Sequence, residues 1–391
     1  MKRVALEKVA KIDRTVASEE DCQIMPYVGL EHVEKDAGHF STSFVPNPES
    51  VLATKFRFTS KHVLYGKLRP YLNKVVMPNF AGVCTTEILP ILPCEDELDR
   101  TFLWGYLLTP EFVSWASMIV SGANLPRLAP SDLAKHEIPL PPIEEQRRIA
   151  GILARADRLW QLRRYALQLS EGYLQSVFLQ MFGDPVTNPM GWEIRPLGKL
   201  LTTIDSGVSP VCQERPALDN EWGILKLGAV TTCNYLETEN KAITSKTSPR
   251  MELEVKSGDL LFSRKNTYDL VGACAYVHHT RLKLMLPDLI FRLQIEDKKE
   301  LDPIYLWQLL IFPTKRKMVQ RLAGGSAGSM PNISKGRLNT VEIPLPSPEL
   351  QSKFACVVRQ AERLRAQQHE AARQAEHLFA TLLHRAFTPS P

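Results

Sequence analysis

The chain contains the same long segment twice, and this repeat limits its possible folds more than any other feature. Residues 121–159 align without a gap to residues 326–364, at a constant offset of 205, with 14 identical pairs in 39. The match continues outward more weakly, since LWGYLLTP from Leu103 corresponds to LWQLLIFP from Leu306. We therefore predict that the 391 residues form two copies of one unit of about 190 to 200 residues.

Each copy has a mixed part followed by a helical part. The mixed parts, residues 1–137 and 186–342, alternate short β-branched and aromatic runs with Gly, Pro and Asn turns, which is typical of an α/β (α+β) globular domain. The helical parts, residues 138–185 and 343–391, each open with the sequence IPLP. The predicted fold is two globular domains joined by two long antiparallel coiled-coil helices, with an internal pseudo-two-fold repeat.

The helix that follows each IPLP has a clear start signal. Pro142 suits a first helical turn, Ser347 can cap the second helix, and Glu144 and Glu349 suit the positive end of a helix dipole. No proline interrupts the next stretch of about 39 residues, which would make a rod of roughly 58 Å. Because the two helices are separated by a whole domain, antiparallel pairing would put the domains at opposite ends.

A stripe with alternating spacings of four and three residues runs along each predicted helix, as in a coiled coil. A helix of this length needs a partner to cover such a stripe, and the equivalent helix is the obvious one. Two unrelated amphipathic helices, each packed on its own domain, remain the alternative. The predicted seam consists of Ile152, Ala156, Leu159, Arg163, Ala166, Tyr173 and Val177, and of Val357, Ala361, Leu364, Gln368, Ala371, Leu378 and Leu382.

Composition excludes several classes of protein. The hydrophobic fraction of 44% is ordinary for a globular domain, and no run approaches the roughly 18 apolar residues of a membrane span. We expect a cytoplasmic protein that does not contact a membrane. The seven cysteines nowhere form a CxxC pair, which favours free thiols over disulfides or zinc. The net charge of +5 permits an acidic partner such as nucleic acid without requiring one.

The order of these motifs resembles one known family. IPLPPIEEQRRIAGIL with its long helix, MFGDPVTNPMGWEIRPLG before the second variable domain, and IPLPSPELQSKF together resemble the specificity subunit of type I restriction-modification systems. The resemblance implies two target-recognition domains that each read one half of a split sequence in double-stranded DNA. It also implies that the two helices set the spacing between the halves and dock two methyltransferase subunits, through which restriction (translocase) subunits join.

Basic and aromatic side chains alternate just beyond a predicted strand in the first domain, a pattern that suits contact with DNA. A matching segment, SRKNTYD, follows the strand GDLLFS in the second domain. For any single basic residue, a solvated surface charge is the alternative. The candidates are Lys55, Arg57, Lys61, His62, Lys67 and Arg69 in the first domain, and Arg264, Lys265, Asn266, Thr267 and Tyr268 in the second.

The loop ahead of each IPLP provides a second set of candidates. Residues 121–128 and 324–337 contain glycines that allow close backbone approach, together with side chains that can bond phosphates or bases. A plain turn is the alternative for both loops. The candidates are Asn124 and Arg127 in the first loop, and Asn332, Lys335 and Arg337 in the second.

Catalytic motifs are absent from the sequence, with one weak exception. No phosphate-binding P-loop, GxGxxG fingerprint or adenine-methyltransferase motif is present. Asp288, Glu296 and Lys298 resemble the PD-ExK arrangement with which nucleases hold Mg²⁺. We expect a chain that is not an enzyme and binds neither cofactor nor metal, with S-adenosylmethionine, ATP and Mg²⁺ on its partner subunits. A coiled-coil scaffold with protein-binding domains is the other alternative, as is, less favoured, a PD-ExK-like nuclease.

Overall fold

A computed structural model describes residues 2–49, 53–120, 124–244, 248–325 and 330–388 of the chain. The contacts divide the chain into two compact units: the first unit is Met1–Ala166 with Gln368–Pro391, and the second unit is Leu167–Gln367. These boundaries differ from the predicted domains, because each compact unit contains part of each long helix. Among the described residues, no helix is both long and apolar enough to cross a membrane.

The described residues of the first unit form a mixed α/β structure with three small sheets. Its strands are Arg3–Ala5, Ala10–Ile12, Tyr27–Val28, Lys55–Phe58, Val63–Gly66, Val75–Val76, Gly82–Thr85, Ile88–Pro93 and Glu137–Pro139. Its α-helices are Glu19–Ile24, Arg100–Leu107, Pro110–Met118, Pro130–Lys135 and the first long helix, Ile143–Phe182, which continues into the second unit. Short 3-10 helices span Leu6–Lys8, Leu30–His32 and Pro70–Leu72.

The second unit has the same architecture. Its strands are Glu193–Pro196, Leu201–Ser206, Gly223–Leu225, Asn240–Ala242, Leu260–Ser263, Cys274–Tyr276, Leu284–Met285, Ile290–Ile295 and Glu342–Leu345. Its α-helices are Gly228–Thr231, Pro303–Ile311, Pro313–Gln320, Lys335–Asn339 and the second long helix, Pro348–Phe387, which continues into the first unit. Short 3-10 helices span Leu197–Lys199 and Met251–Leu253.

The central four-stranded sheet is antiparallel and has the same order in each unit. In the first unit it runs Ala10–Ile12, Ile88–Pro93, Val63–Gly66 and Val75–Val76. In the second unit it runs Leu201–Ser206, Ile290–Ile295, Leu260–Ser263 and Cys274–Tyr276. The register also matches, since Gly66 faces Ile88 and Ser263 faces Ile290.

The IPLP segments are part of the sheets as well as the entry to the helices. Glu137–Pro139 pairs with Arg3–Ala5, and Glu342–Leu345 pairs with Glu193–Pro196. The buried Ile of each IPLP, Ile138 and Ile343, anchors the strand in the core of its unit. The repeated sequence therefore ties the start of each globular part to the start of the helix that follows it.

A buried glutamine fixes the start of each long helix against its globular part. The Gln146 side chain accepts a hydrogen bond from the Asp99 N–H (2.9 Å) and donates to the Glu97 and Pro141 carbonyls (2.8 and 2.9 Å). Gln351 makes the equivalent bonds in the second unit, accepting from the Asp302 N–H and donating to the Glu300 and Pro346 carbonyls. Each glutamine thereby provides hydrogen-bond partners for three backbone groups that have none within a sheet or a helix.

The long helices pack against each other within each unit, and the contacts in the first unit show an antiparallel pair. In the first unit the Trp160 ring stacks on the Phe379 ring. Leu153, about two turns before Trp160, lies beside Gly105. Leu383 and Phe387, which follow Phe379 on the second long helix, lie beside the same glycine. In the second unit Phe178 and Phe182 both contact Phe354. The helices begin at Ile143 and Pro348 and each contains 40 residues.

Several predicted seam residues are wrong. Leu159, Tyr173, Leu364 and Leu378 are 39–53% exposed, and Arg163 is also exposed. Ala156 is buried; Ile152, Ala166, Val177, Val357, Ala361, Gln368, Ala371 and Leu382 are half-buried. The fully covered stripe instead uses the next residue along the first helix at three places, Leu153, Trp160 and Leu174. One residue turns the stripe by about 100°, and the large Trp160 ring buries more apolar area than Leu159 could.

Candidate nucleic-acid interface

The two sets of candidate residues meet in the first unit at the end of the strand Val63–Gly66. The Lys67 N–H donates to the Glu87 carbonyl (2.9 Å), and the Lys67 carbonyl accepts from the Leu128 N–H (3.0 Å). The Arg69 N–H donates to the Pro126 carbonyl at 2.7 Å. These bonds hold the turn that carries Lys67 and Arg69 against the loop ahead of IPLP. We call this surface, residues 67–71 with 124–127, the first recognition face.

The second unit repeats the same backbone frame with other side chains. The Arg264 N–H donates to the Leu289 carbonyl (3.1 Å), and its carbonyl accepts from the Ile333 N–H (2.8 Å). The Asn266 N–H donates to the Pro331 carbonyl at 3.3 Å. Pro331 and Ile333 are the residues 205 positions after Pro126 and Leu128, so the frames are equivalent bond for bond. We call residues 264–268 with 330–335 the second recognition face.

Side chains on the first recognition face are mostly accessible. Arg69 and Asn124 are exposed, and Lys67 and Arg127 are half-buried. Arg127 forms an ion pair with Glu87, with the nitrogen 3.0 Å from the carboxylate oxygen. Arg69 has a left-handed backbone with φ of 51°, which is strained for a residue with a Cβ. Backbone strain of this kind clusters at functional sites, and among the described residues five other non-glycine residues also have a positive φ.

The second recognition face combines cations with one aromatic ring. The guanidinium carbon of Arg264 lies 5.0 Å from the centre of the Phe291 ring, and Lys335 Nζ lies 5.7 Å from it. Arg264 also donates to the Asn332 side-chain oxygen at 3.2 Å. Lys265 is half-buried, while Thr267 and Tyr268 are exposed. Arg337 is exposed and donates to the Leu322 carbonyl at 2.9 Å.

Three predicted contacts are corrected because their side chains are buried. Lys55 is 2% exposed, with its Nζ 5.3 Å from the centre of the Tyr27 ring. His62 is 4% exposed and accepts a hydrogen bond from the Thr59 N–H; burial lowers the pKa of its imidazole. Asn266 is 6% exposed, and its side-chain oxygen accepts from the Thr267 N–H. Alternation does not explain Lys55, since the exposed Arg57 lies on the same face of its strand; the Tyr27 ring of the same sheet covers Lys55, and turns enclose the other two groups.

Two other candidates are paired with carboxylates, and one of them, Lys61, lies at the opposite end of a strand from the recognition face. Arg57 Nε is 3.5 Å from the Asp21 carboxylate, and Lys61 Nζ is 2.8 Å from that of Glu95. Lys61 precedes the strand Val63–Gly66 and Lys67 follows it, so the strand separates them by roughly 13 Å or more. Residues 121–123 and 326–329 of the two loops lie outside the described residues.

The nuclease alternative does not fit the observed geometry. Asp288 precedes the strand Ile290–Ile295 and Glu296 follows it, so the two carboxylates lie at opposite ends of one strand, roughly 20 Å apart or more. Two groups that hold one Mg²⁺ must come within a few ångströms of each other. Within the described parts of the chain, no group of three or more His, Cys, Asp or Glu side chains is placed to hold a metal ion.

Comparison with known proteins agrees with this arrangement. Residues 40–168, which include the first recognition face, match the family described as the type I restriction modification DNA specificity domain. This segment of the chain is therefore similar to the specificity subunits of type I restriction-modification systems. The match agrees, over these residues, with the resemblance seen in the sequence.

Two relatives from Escherichia coli show the extent of the similarity. The EcoEI specificity subunit is 32% identical over 175 residues, covering 44% of this chain and 29% of that protein. The EcoDI specificity subunit is 30% identical over 185 residues, covering 46% of this chain and 41% of that protein. The matched region therefore spans less than half the length of each relative.

Two solved structures share the fold over nearly the whole chain. The S subunit of a type I restriction-modification system from M. genitalium has a TM-score of 0.60 at 13% identity and covers 100% of this chain and 96% of that chain. A chain from a structure addressing complex assembly and conformational transition of the type I R-M system has a TM-score of 0.55 at 20% identity and covers 99% and 97%. These likenesses show a mixed α/β fold of the same kind.

Proposed function

We propose that this chain is the DNA sequence-specificity subunit of a type I restriction-modification complex, and that each unit reads one half of a bipartite target. One observation carries the proposal: the two recognition faces have the same backbone hydrogen bonds and different side chains. Lys67, Arg69 and Arg127 of the first face correspond to Arg264, Asn266 and Asn332 of the second. A fixed frame with variable side chains suits two readers of different base sequences.

Unpaired cations on both faces support binding to phosphates. Among the described residues, no acidic side chain forms an ion pair with Lys67, Arg69, Lys265 or Lys335, whereas many other basic residues of the chain are paired, as Arg215 is with Glu221. Cations that are not neutralised within the protein attract the DNA backbone and release its counterions. The polar side chains between them are then positioned to reach base edges.

In this proposal the whole chain is an internal pseudo-two-fold repeat whose antiparallel helices set the distance between the two half-sites. The helices also dock two methyltransferase subunits. Leu159, Leu162 and Tyr165 support the docking role, because they are 39%, 56% and 59% exposed on one helical segment of the first unit. Exposed apolar groups at this spacing are typical of a surface that another protein covers.

The chain itself is proposed to be non-catalytic. The chemistry, with S-adenosylmethionine, ATP and Mg²⁺, would then belong to the methyltransferase subunits and to any restriction subunits that join through them. Purified chain supplied with these cofactors should neither cut nor methylate DNA. Asp288→Ala should leave the activity of the assembled complex intact, because its carboxylate lies far from that of Glu296.

The decisive experiment is to co-express the chain with the methyltransferase of its system and to map methylated bases across a genome. The expected result is a bipartite target with a fixed gap. The double variant Arg264→Ala/Lys265→Ala should relax one half of that target, by about 1 to 3 kcal/mol per good base contact, and leave the other half unchanged. Lys256→Ala, an exposed lysine of the same unit, is the matched control. Equal relaxation of both halves would refute two independent readers.

Salt dependence separates this proposal from a scaffold that binds proteins. If several Lys and Arg side chains neutralise phosphates, the logarithm of the affinity should fall linearly with the logarithm of the salt concentration. An apolar protein interface would show little dependence. The helices offer a further test: one heptad inserted into each should lengthen the gap by about 10 Å, or roughly three base pairs, without changing the sequence of either half.

A further inference from the structure

Each recognition face carries two exposed apolar side chains that take no part in its hydrogen bonds and ion pairs. Tyr71 is 50% exposed and Leu125 is 45% exposed on the first face. Tyr268 and Met330 are 56% and 43% exposed on the second. Single exposed apolar residues are ordinary on a protein surface, so it is the positions of these four in the two frames that call for an explanation.

The four residues occupy equivalent places in the two frames. Tyr71 lies two residues after Arg69 and Tyr268 two residues after Asn266, the two residues whose N–H groups bond Pro126 and Pro331. Leu125 and Met330 immediately precede those prolines. The turn around each tyrosine is also closed by the same bond, from Asn73 N–H to the Pro70 carbonyl (2.9 Å) and from Leu270 N–H to the Thr267 carbonyl (3.0 Å).

The neighbouring side chains differ between the two faces while these apolar ones are kept. Arg69 has Asn266 as its counterpart, and Pro70 has Thr267. Because these side chains are exposed, packing within the protein does not explain why a tyrosine and an aliphatic residue occur at both places. A shared ligand that is chemically the same at both faces would give that reason.

Resting on the proposed function, we propose that Tyr71 with Leu125, and Tyr268 with Met330, are matched apolar contacts to double-stranded DNA. They pack against deoxyribose or wedge at a base step beside each half-site, and add affinity independent of base sequence. DNA is favoured over a protein partner because unpaired cations flank both pairs: Lys67 and Arg69 on the first face, and Lys265 and Lys335 on the second.

The test uses the full chain in complex with its methyltransferase, the target duplex found by methylation mapping, and a scrambled duplex. Tyr71→Ala/Leu125→Ala and Tyr268→Ala/Met330→Ala should each weaken binding of both duplexes by a similar factor, about tenfold or more. The slope of affinity against salt should not change, since no charge is removed. Tyr71→Phe and Tyr268→Phe should stay within about twofold of the parent, because the ring makes the contact.

Matched controls are Met118→Ala and Leu218→Ala, which remove exposed apolar groups elsewhere in the first and second units, 79% and 66% exposed. They should bind DNA as the parent does, and all variants should unfold at the parent's temperature. Parent-like DNA binding by both double variants would overturn the inference. Loss of methyltransferase assembly with intact DNA binding would assign the pairs to a protein partner instead. Failure of the parent complex to bind DNA would refute the proposed function itself.

Discussion

The two units agree in their backbone frames and differ at the junction between the globular part and the long helix. In the first unit Trp104 Nε1 donates to the Gly38 carbonyl, and His39 Nε2 lies 2.7 Å from the Asp157 carboxylate of the first long helix. In the second unit Trp307 Nε1 donates to the Cys233 carbonyl in the same way. Trp160 packs into this junction in the first unit, whereas its counterpart Arg365 lines a cavity of about 430 Å³ in the second.

This difference shows which parts of the repeated unit are constrained. The hydrogen bonds of Gln146 and Gln351, and those of the recognition faces, occur in both units, and each satisfies backbone N–H or carbonyl groups. The junction is filled by side chains, and side chains of different volume and charge can fill it to different degrees. Backbone hydrogen bonding is therefore shared by the two units, and packing is particular to each.

The largest effect is expected from replacing the two shared glutamines, which tests whether they stabilise the two units equally. Gln146→Leu leaves three backbone groups without partners in a buried position and should lower the free energy of unfolding of the first unit by about 3 kcal/mol or more. Gln351→Leu should do the same to the second unit. Hydrogen exchange, read separately over the two units, measures both.

The exposed Gln168 on the first long helix provides the control for these substitutions. Gln168→Leu should change stability by less than about 0.5 kcal/mol. If Gln146→Leu and Gln351→Leu were as mild as that control, the shared hydrogen bonds would not explain the repeat.

Gly38→Ala addresses the junction, where the units differ. The added Cβ would lie 2.7 Å from the Trp104 ring, and φ at Gly38 is +75°. The free energy of unfolding of the first unit should fall by about 2 to 4 kcal/mol from strain and overpacking together. Thermal unfolding of the variant beside the parent measures the change.

Gly191→Ala isolates the contribution of backbone strain, since φ is +68° there and no atom lies within 4 Å of the added Cβ. It should cost about 1 to 2 kcal/mol. An equal cost at both glycines would mean that Trp104 yields freely and that the junction is not tightly packed.

A pH difference should distinguish the units, because His136 in the first has the buried Val341 as its counterpart in the second. Burial, reinforced by Arg3, lowers the pKa of His136 to about 4. Between this value and the ordinary pKa of about 6.5, the unfolded chain binds more protons than the folded one, so stability falls as pH decreases.

When the pH falls from 6.5 to 5, the parent should lose about 1 to 2 kcal/mol more stability than the His136→Val variant. Urea unfolding of parent and variant at a series of pH values measures that difference. Parallel pH profiles for the two proteins would exclude His136 as its source.

The smallest effect concerns Arg69, whose backbone is left-handed while that of its counterpart Asn266 has no positive φ. Arg69→Gly should be more stable than Arg69→Ala by about 1 kcal/mol, because glycine adopts this conformation without strain. Both variants should weaken DNA binding and reduce the salt slope by about one. Equal stabilities, measured by thermal unfolding, would show that Arg69 is not strained.

The sequence determined the features that depend on local or repeated patterns. The repeat at an offset of 205 and the two IPLP segments were sufficient to predict two units and two long helices. Prolines and an uninterrupted helical spacing of apolar residues determine the conformation of the backbone around them, so they can be read from the sequence. The resemblance carried by the same motifs predicted the family. The sequence also indicated that Lys67, Arg69 and Arg264 follow strands at matching places, whereas their contact with the loops ahead of IPLP was seen only in the structure.

Only the tertiary structure decided which side chains face solvent and which face the core. Lys55, His62 and Asn266 look like DNA contacts in the sequence, yet closure of neighbouring strands and turns buries them. Likewise Leu159 and Trp160 are adjacent, and only the packing against Phe379 selects the tryptophan for the interior. Burial depends on residues far away in the chain, because apolar area is covered by whatever the fold brings next to it. The sequence alone therefore does not show which individual side chains are buried.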